Sequence, residues 1–243
     1  MKQSLREELK QKIPGHFTLI DPGVDTPDKL AKYAMLAEKQ GTDAILVGGS
    51  GEVLPLELSE AIKRINEQVS IPVIEYTADL QMVSPDADGI FFLSVINSRT
   101  HYYNFGMAAL AAPLIHRTKL TPLSVALMIF EPGMTAGWIS DANLFRNDKP
   151  APAVAYALAA QYFGFQFLYL EAGSGSKEPV SMKAIRSIAH VIDKDAINII
   201  VGGGIIGPDQ AKQVIKAGAD FIVTGSIFEK TKEITGIIQA IKS

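Results

Sequence analysis

Apolar residues along this chain gather into eight short runs, separated for the most part by segments of a different rhythm. The runs are HFTLID (16–21), AILVGG (44–49), IPVIEY (71–76), GIFFLS (89–94), SVALMIF (124–130), FLYLEA (167–172), INIIVGG (197–203) and FIVTGS (221–226). Most are unbroken rather than alternating, the pattern of parallel strands covered on both faces. Between them the period lengthens to that of a helix. Leu30, Tyr33, Ala34 and Ala37 share one face before a stop at Gly41. Ala211, Val214, Ile215 and Gly218 do the same behind Pro208, and Ile234, Ile237, Ile238 and Ile241 give the last segment its apolar side. One interval breaks the alternation: TADLQMVSPDAD, after the third run, is too short for a helix that covers a strand. The pattern predicts an α/β fold, a single (β/α)8 barrel of the TIM type over residues 1–243, with a short or missing third helix. A doubly wound open sheet is the competing arrangement.

Composition changes this picture only by exclusion. Hydrophobic residues at 47% and charged ones at 20% describe a globular chain with enough apolar material for such a core. A net charge of -3 leaves no electrostatic footprint for nucleic acid. With no cysteine there is no disulfide, thiolate nucleophile or sulfur-ligated metal. The N-terminal MKQSLREELKQKIPG is charged and has no apolar signal core, and no stretch is long enough to span a bilayer. The expected setting is the cytoplasm.

In a barrel every βα loop opens on one face, so the strand ends mark the candidate site. The first ends in Asp21-Pro22-Gly23 and the second in Gly48-Gly49-Ser50-Gly51-Glu52. The sixth supplies Tyr169, Glu171 and Gly173-Ser174-Gly175; the seventh, Gly202-Gly203-Gly204; the eighth, Thr224-Gly225-Ser226. Glycines after strands seven and eight let main-chain N–H groups approach an anion, with Ser174, Thr224 or Ser226 as hydroxyl donors. This predicts a phosphate site. Asp21 would repel such a ligand unless it held a cation or a proton, and Mg2+ resolves the conflict by taking carboxylate and phosphate oxygens together, with Ser50 as a direct or water-mediated ligand. Glu171 would accept hydrogen bonds from substrate hydroxyls or deprotonate one, and Tyr169 shares its face of the strand.

Other features carry less. GGGIIG (202–207) satisfies a dinucleotide-binding pattern with Asp220 downstream, but it follows the seventh strand, and Asp220 opens a strand and would point away from the ligand side. The four histidines form no ligand set and are expected to be structural or solvated: His16 precedes a strand, His101 and His116 flank a helical segment, and His190 sits on a helix. Trp138 lies in EPGMTAGWISDANLFRNDKP, a connection long enough to be a lid or cover.

The segments HFTLIDP, DAILVGGS, FLSVINSR, AYALAAQYFGFQFLYLEAGSGSKEPV, IIVGGGI and AGADFIVTGS, in this order and spacing, resemble the geranylgeranylglyceryl phosphate synthase family, which includes the related bacterial heptaprenylglyceryl phosphate synthases. The resemblance implies a prenyltransferase that joins a prenyl diphosphate, with geranylgeranyl diphosphate the expected one, to the 3-hydroxyl of sn-glycerol 1-phosphate, with Mg2+ and release of pyrophosphate. By position it makes Asp21 and Ser50 the metal ligands. It places glycerol phosphate against Tyr169, Leu170, Glu171, Ala172, Gly173, Ser174 and Gly175, then Gly202, Gly203, Thr224 and Gly225. It implies an apolar groove for the prenyl tail along strands three to five, with Tyr102 or Tyr103 limiting its length. A homo-oligomer is expected, with Leu110, Leu114 and Ile115 as core or interface. EYTADLQM and RTKLTPLSVALMIFEPGM depart from the family pattern on the prenyl side. Two other readings share the phosphate loops: an isomerase or lyase of a phosphorylated metabolite, and a barrel that binds phosphate without turnover.

Overall fold

The eight runs become strands β1 (Gly15–Ile20), β2 (Ala44–Gly48), β3 (Val73–Tyr76), β4 (Gly89–Val95), β5 (Thr121–Ile129), β6 (Phe167–Glu171), β7 (Asn198–Gly202) and β8 (Phe221–Thr224). In the computed structural model, which describes residues 4–49, 53–77 and 83–243, they are all parallel and close in sequence order, β8 pairing back onto β1. The helices are α1 (Leu5–Lys10), α2 (Pro27–Gln40), α3 (Pro55–Asn66), α4 (Met107–Thr118), α5 (Met134–Ile139), α6 (Ala151–Tyr162), α7 (Met182–Ala189), α8 (Pro208–Lys216), α9 (Ser226–Thr231) and α10 (Thr235–Lys242). Among the described residues no helix lies between β3 and β4, as the short interval predicts, and none is long and apolar enough to cross a membrane. Local chemistry sets the helix ends: α2 starts at Pro27 behind Thr26 and stops where Gly41 turns left-handed (φ 101°).

Each strand has two buried faces. Inward residues meet in the barrel, where Phe17, Phe91, Phe167 and Phe221 form a closed ring of aromatic contacts with centroid separations of 4.7–6.5 Å. That plug fills the barrel as side chains fill other barrels of this size. Outward residues such as Ile45, Leu168, Leu170, Val201 and Ile222 pack under the helices.

A repeated latch closes the end of the barrel opposite the βα loops. The residue just before each even-numbered strand, Asp43, Asp88, Gln166 or Asp220, accepts a main-chain N–H from the preceding odd-numbered strand through its side chain. The donors are His16, Val73, Ser124 and Ile199, at 2.7–3.1 Å. Each latch residue also donates its own N–H to the carbonyl of the same donor residue. Lys242 pairs with Asp43 and Lys194 with Asp220. Asp220 thus does face away from the loops, as its position at the start of a strand implies.

Candidate active site

Above the phenylalanine ring, the mouth of the barrel holds a cavity of about 830 Å³ lined from all sides by βα loops. Asp21, from the first loop, and Glu171, from the sixth strand, both face it. Its floor is built from Tyr76 and Tyr169, whose rings stack at 5.7 Å, with Tyr76 edge-on to Phe91 below.

The period of β6 decides which residues reach this space. Phe167, Tyr169 and Glu171 point inward, whereas Leu168, Leu170 and Ala172 point under the helices. Leu170 and Ala172 therefore offer a ligand no side chain. Glu171 is 7% exposed, and its Oε1 accepts the Gly173 N–H at 2.6 Å. The Tyr169 hydroxyl bonds to the Glu171 carboxylate and to the Tyr76 hydroxyl, which makes a continuous polar chain across the floor. Burial raises the proton affinity of Glu171, and the Gly173 N–H and Tyr169 hydroxyl pull it partly back. Burial, reinforced by the charge of Glu171, holds Tyr76 and Tyr169 well above the usual phenol range, so both remain neutral hydroxyls. The chemistry on offer is a basic carboxylate held rigidly by two donors.

The glycines divide into two kinds. At Gly202 a Cβ would run into the Tyr169 hydroxyl and fall 2.8 Å from Glu171 Oε2, so this glycine makes room for the polar chain. Gly203 has φ +77°, and a Cβ there would lie 2.5 Å from Glu171 Oε1 and 2.8 Å from the Gly173 nitrogen. The Gly173 N–H is already taken by Glu171, so the sixth loop meets the cavity through Ser174, Gly175 and Ser176 instead. Ser174 and Ser226 bring their hydroxyl oxygens to 3.0 Å across the gap between the sixth and eighth loops. Gly203, Gly204 and Gly225 line the space beside them. Thr224 borders it as well, but its hydroxyl points outward to His16 Nε2 at 2.9 Å, leaving its main chain for a ligand.

Across the mouth, one Asp21 oxygen accepts the Gly23 N–H at 2.9 Å. A Cβ on Gly49 would sit 2.6 Å from the other, so the bare second loop leaves that oxygen open. Glu229, which lines the same cavity from α9, is pushed toward its protonated form by burial and then by the charge of Asp21. Among the described lining residues Lys230 is the one cation. Ser50 lies outside the described residues.

The remaining wall is apolar: Leu93 and Val95 of β4, Leu127 and Ile129 of β5, and Ala136 and Ile139 of α5. The long connection after β5 is thus part of the cavity wall, although Trp138 itself is exposed. Of the two tyrosines after β4, Tyr103 lines the cavity while Tyr102 packs edge-on against it and faces outward. Ile115 is core and Leu110 is exposed.

Sequence reasoning missed Tyr76 and Glu229. Tyr76 ends the third apolar run and belongs on the roster of strand ends by the rule that found Asp21 and Glu171. Glu229 had a fainter signal, one helical turn beyond Ser226. His16, expected to be structural or solvated, is a fully buried member of β1 with both ring nitrogens bonded.

This geometry meets its match in known proteins. A family model described as the PcrB family matches residues 5–243. The geranylgeranylglyceryl phosphate synthase of Methanosarcina mazei is 42% identical over 231 residues, 93% of each chain. That of Pyrococcus abyssi is 44% identical over 230 residues, 95% of this chain and 90% of the relative. The crystal structure of (S)-3-O-geranylgeranylglyceryl phosphate synthase from Thermoplasma acidophilum, in complex with its substrate sn-glycerol-1-phosphate, superposes with a TM-score of 0.94 at 40% identity over 99% of both chains. The chain belongs to the PcrB family, and it is an enzyme, a prenyltransferase.

Proposed function

We propose that this enzyme transfers a prenyl group, with geranylgeranyl diphosphate the expected donor, to the 3-hydroxyl of sn-glycerol 1-phosphate. The carrying observation is the division of one cavity: a glycine and serine cradle beside Glu171 on one side, an apolar wall from β4 and β5 on the other. The phosphate of the acceptor fits against Gly203, Gly204, Gly225, Ser174 and Ser226. Its hydroxyl then comes within reach of Glu171, with Tyr169 hydrogen-bonded to the same carboxylate. Glu171 takes the hydroxyl proton as the oxygen bonds to the first carbon of the donor, and the bond from that carbon to the diphosphate breaks. Pyrophosphate leaves with the bonding pair. Holding both reactants in one cavity supplies much of the rate by proximity.

The residues present fit a divalent cation at the Asp21 side. Among the described residues no three carboxylates or histidines converge, so a cation there would take the rest of its oxygens from phosphate and water, as Mg2+ commonly does. Asp21 and Ser50 would hold it, with Glu229 close by. When bound, Mg2+ supplies charge neutralisation for the departing pyrophosphate. Lys230, on the same rim, adds a fixed positive charge.

The test is incubation of the full-length protein with labelled geranylgeranyl diphosphate and sn-glycerol 1-phosphate, with Mg2+ and with a chelator. Equal amounts of ether product and pyrophosphate, both lost on chelation, are expected. Binding of glycerol phosphate without product for any donor would overturn the reading.

A further inference from the structure

Beneath the proposed phosphate cradle lies a buried polar network with no part in the chemistry described above. His16, Thr18, Thr42 and Thr224 all have 4% exposure or less and sit between the barrel and its helices. His16 Nδ1 lies 2.9 Å from the Thr42 hydroxyl and Nε2 lies 2.9 Å from the Thr224 hydroxyl. Burial, aided by the charge of Lys242, holds the ring down to about 3, so it is neutral and carries a single hydrogen.

The hydrogens can be counted. Thr42 has one, and the main-chain carbonyls of His16 (3.1 Å) and Ala44 (3.3 Å) both lie within its reach. Thr42 also receives the Thr18 hydroxyl at 3.1 Å. With its hydrogen on a carbonyl, the Thr42 oxygen meets Nδ1 as an acceptor, and that arrangement puts the ring hydrogen on Nδ1 and leaves Nε2 bare. A bare Nε2 in turn requires Thr224 to donate.

The consequence falls on β8. That strand pairs with β7 only at Phe221 and Ile222, so Val223 and Thr224 are held on the β1 side alone. The bond from Thr224 to His16 adds a restraint at the last strand residue before Gly225 and Ser226 enter the cavity wall. We infer that His16 is a positioning residue: through a one-way hydrogen bond from Thr224 it fixes the β8 loop against which the acceptor's phosphate rests. The inference builds on the proposed acceptor site.

Calorimetric titration of the full-length protein with sn-glycerol 1-phosphate, and separately with inorganic phosphate, tests it. Thr224→Val keeps the shape and removes the donor; His16→Phe keeps a ring and removes both partners. Each is expected to weaken binding about five- to tenfold, the scale of one lost hydrogen bond. The double variant is expected to bind no more weakly than either single one, and His16→Gln, which restores an acceptor for Thr224, to recover part of the loss. Unchanged affinity in folded Thr224→Val overturns the inference. Because His16→Phe can fail to fold, nitrogen-15 NMR of the unaltered protein gives a second check: hydrogen on Nδ1 is expected, and hydrogen on Nε2 overturns it. If the wild type binds phosphate but not glycerol phosphate, the acceptor reading fails while the phosphate arm still tests His16.

Discussion

At the scale of single residues, Glu171 is the centre of the proposed chemistry, because Gly173 and Tyr169 both bond to its carboxylate while burial raises its basicity. Glu171→Gln is expected to lower kcat by about 10²–10⁴, the usual contribution of a positioned base. The sign of the pH effect follows from the same burial. Glu171 accepts a proton only when ionised, and its affinity for protons in the folded enzyme exceeds that of an exposed glutamate, near ~4.3. Activity should therefore fall on acidification at a higher pH than an ordinary carboxylate would give, and the Gln variant should lack that limb in a kcat–pH profile. Gly203→Ala gives a second test: strain at φ +77° and a Cβ against Glu171 Oε1 should abolish measurable binding of glycerol phosphate by calorimetry. Asp21, Tyr169 and Glu171 were legible in the sequence because each ends an apolar run, where a barrel displays side chains. What the sequence could not show is that Gly173 and Thr224 turn their polar groups to protein partners, since those partners come from folding.

Among the elements, the barrel itself was readable because its strands are unbroken apolar runs and its helices keep a clean period. The four latches were not. A lone Asp or Gln before a strand reads as a loop residue, and its partner lies on another strand far away in sequence. Asp43→Ala and Asp220→Ala should each reduce unfolding stability by about 1–3 kcal/mol, since each leaves a buried N–H unpaired. Glycerol phosphate affinity should hold in Asp220→Ala, whose latch lies at the opposite end from the cavity and bonds Ile199 rather than His16. The connection after β3 has its own anchor. Glu75 is fully buried, accepts the Ser84 N–H at 2.7 Å through Oε2, and has no partner at Oε1 among the described residues. Burial pushes its proton affinity up to about 8. In the unfolded chain it would release its proton near ~4.3. Between those values the folded protein holds one proton more, so this stability is complete below the lower value and is lost as pH rises toward the upper, by about 1.4 kcal/mol per pH unit. Denaturant unfolding of Glu75→Gln against wild type across that range should show the slope removed; equal slopes would contradict the assignment.

On the scale of the whole molecule, the cavity has a polar half from β6, β7 and β8 and an apolar half from β4 and β5, over a floor sealed by four phenylalanines. The polar half was the more legible, because glycine and serine loops announce close main-chain approach. The apolar half was less so, because a strand lining a groove and a strand lining a core look alike in sequence. Tyr103 stands on the boundary, and Tyr103→Ala should shift preference toward longer donors, read as product mass from a mixed donor pool. The union of the two halves is tested most directly by the mass of the product formed when sn-glycerol 1-phosphate is offered with a series of prenyl diphosphates of increasing length. The expected result is a prenyl ether of glycerol phosphate, geranylgeranyl in the main, that disappears in Glu171→Gln. Pyrophosphate released without any ether, or ether formed at full rate by the Gln variant, would contradict the account.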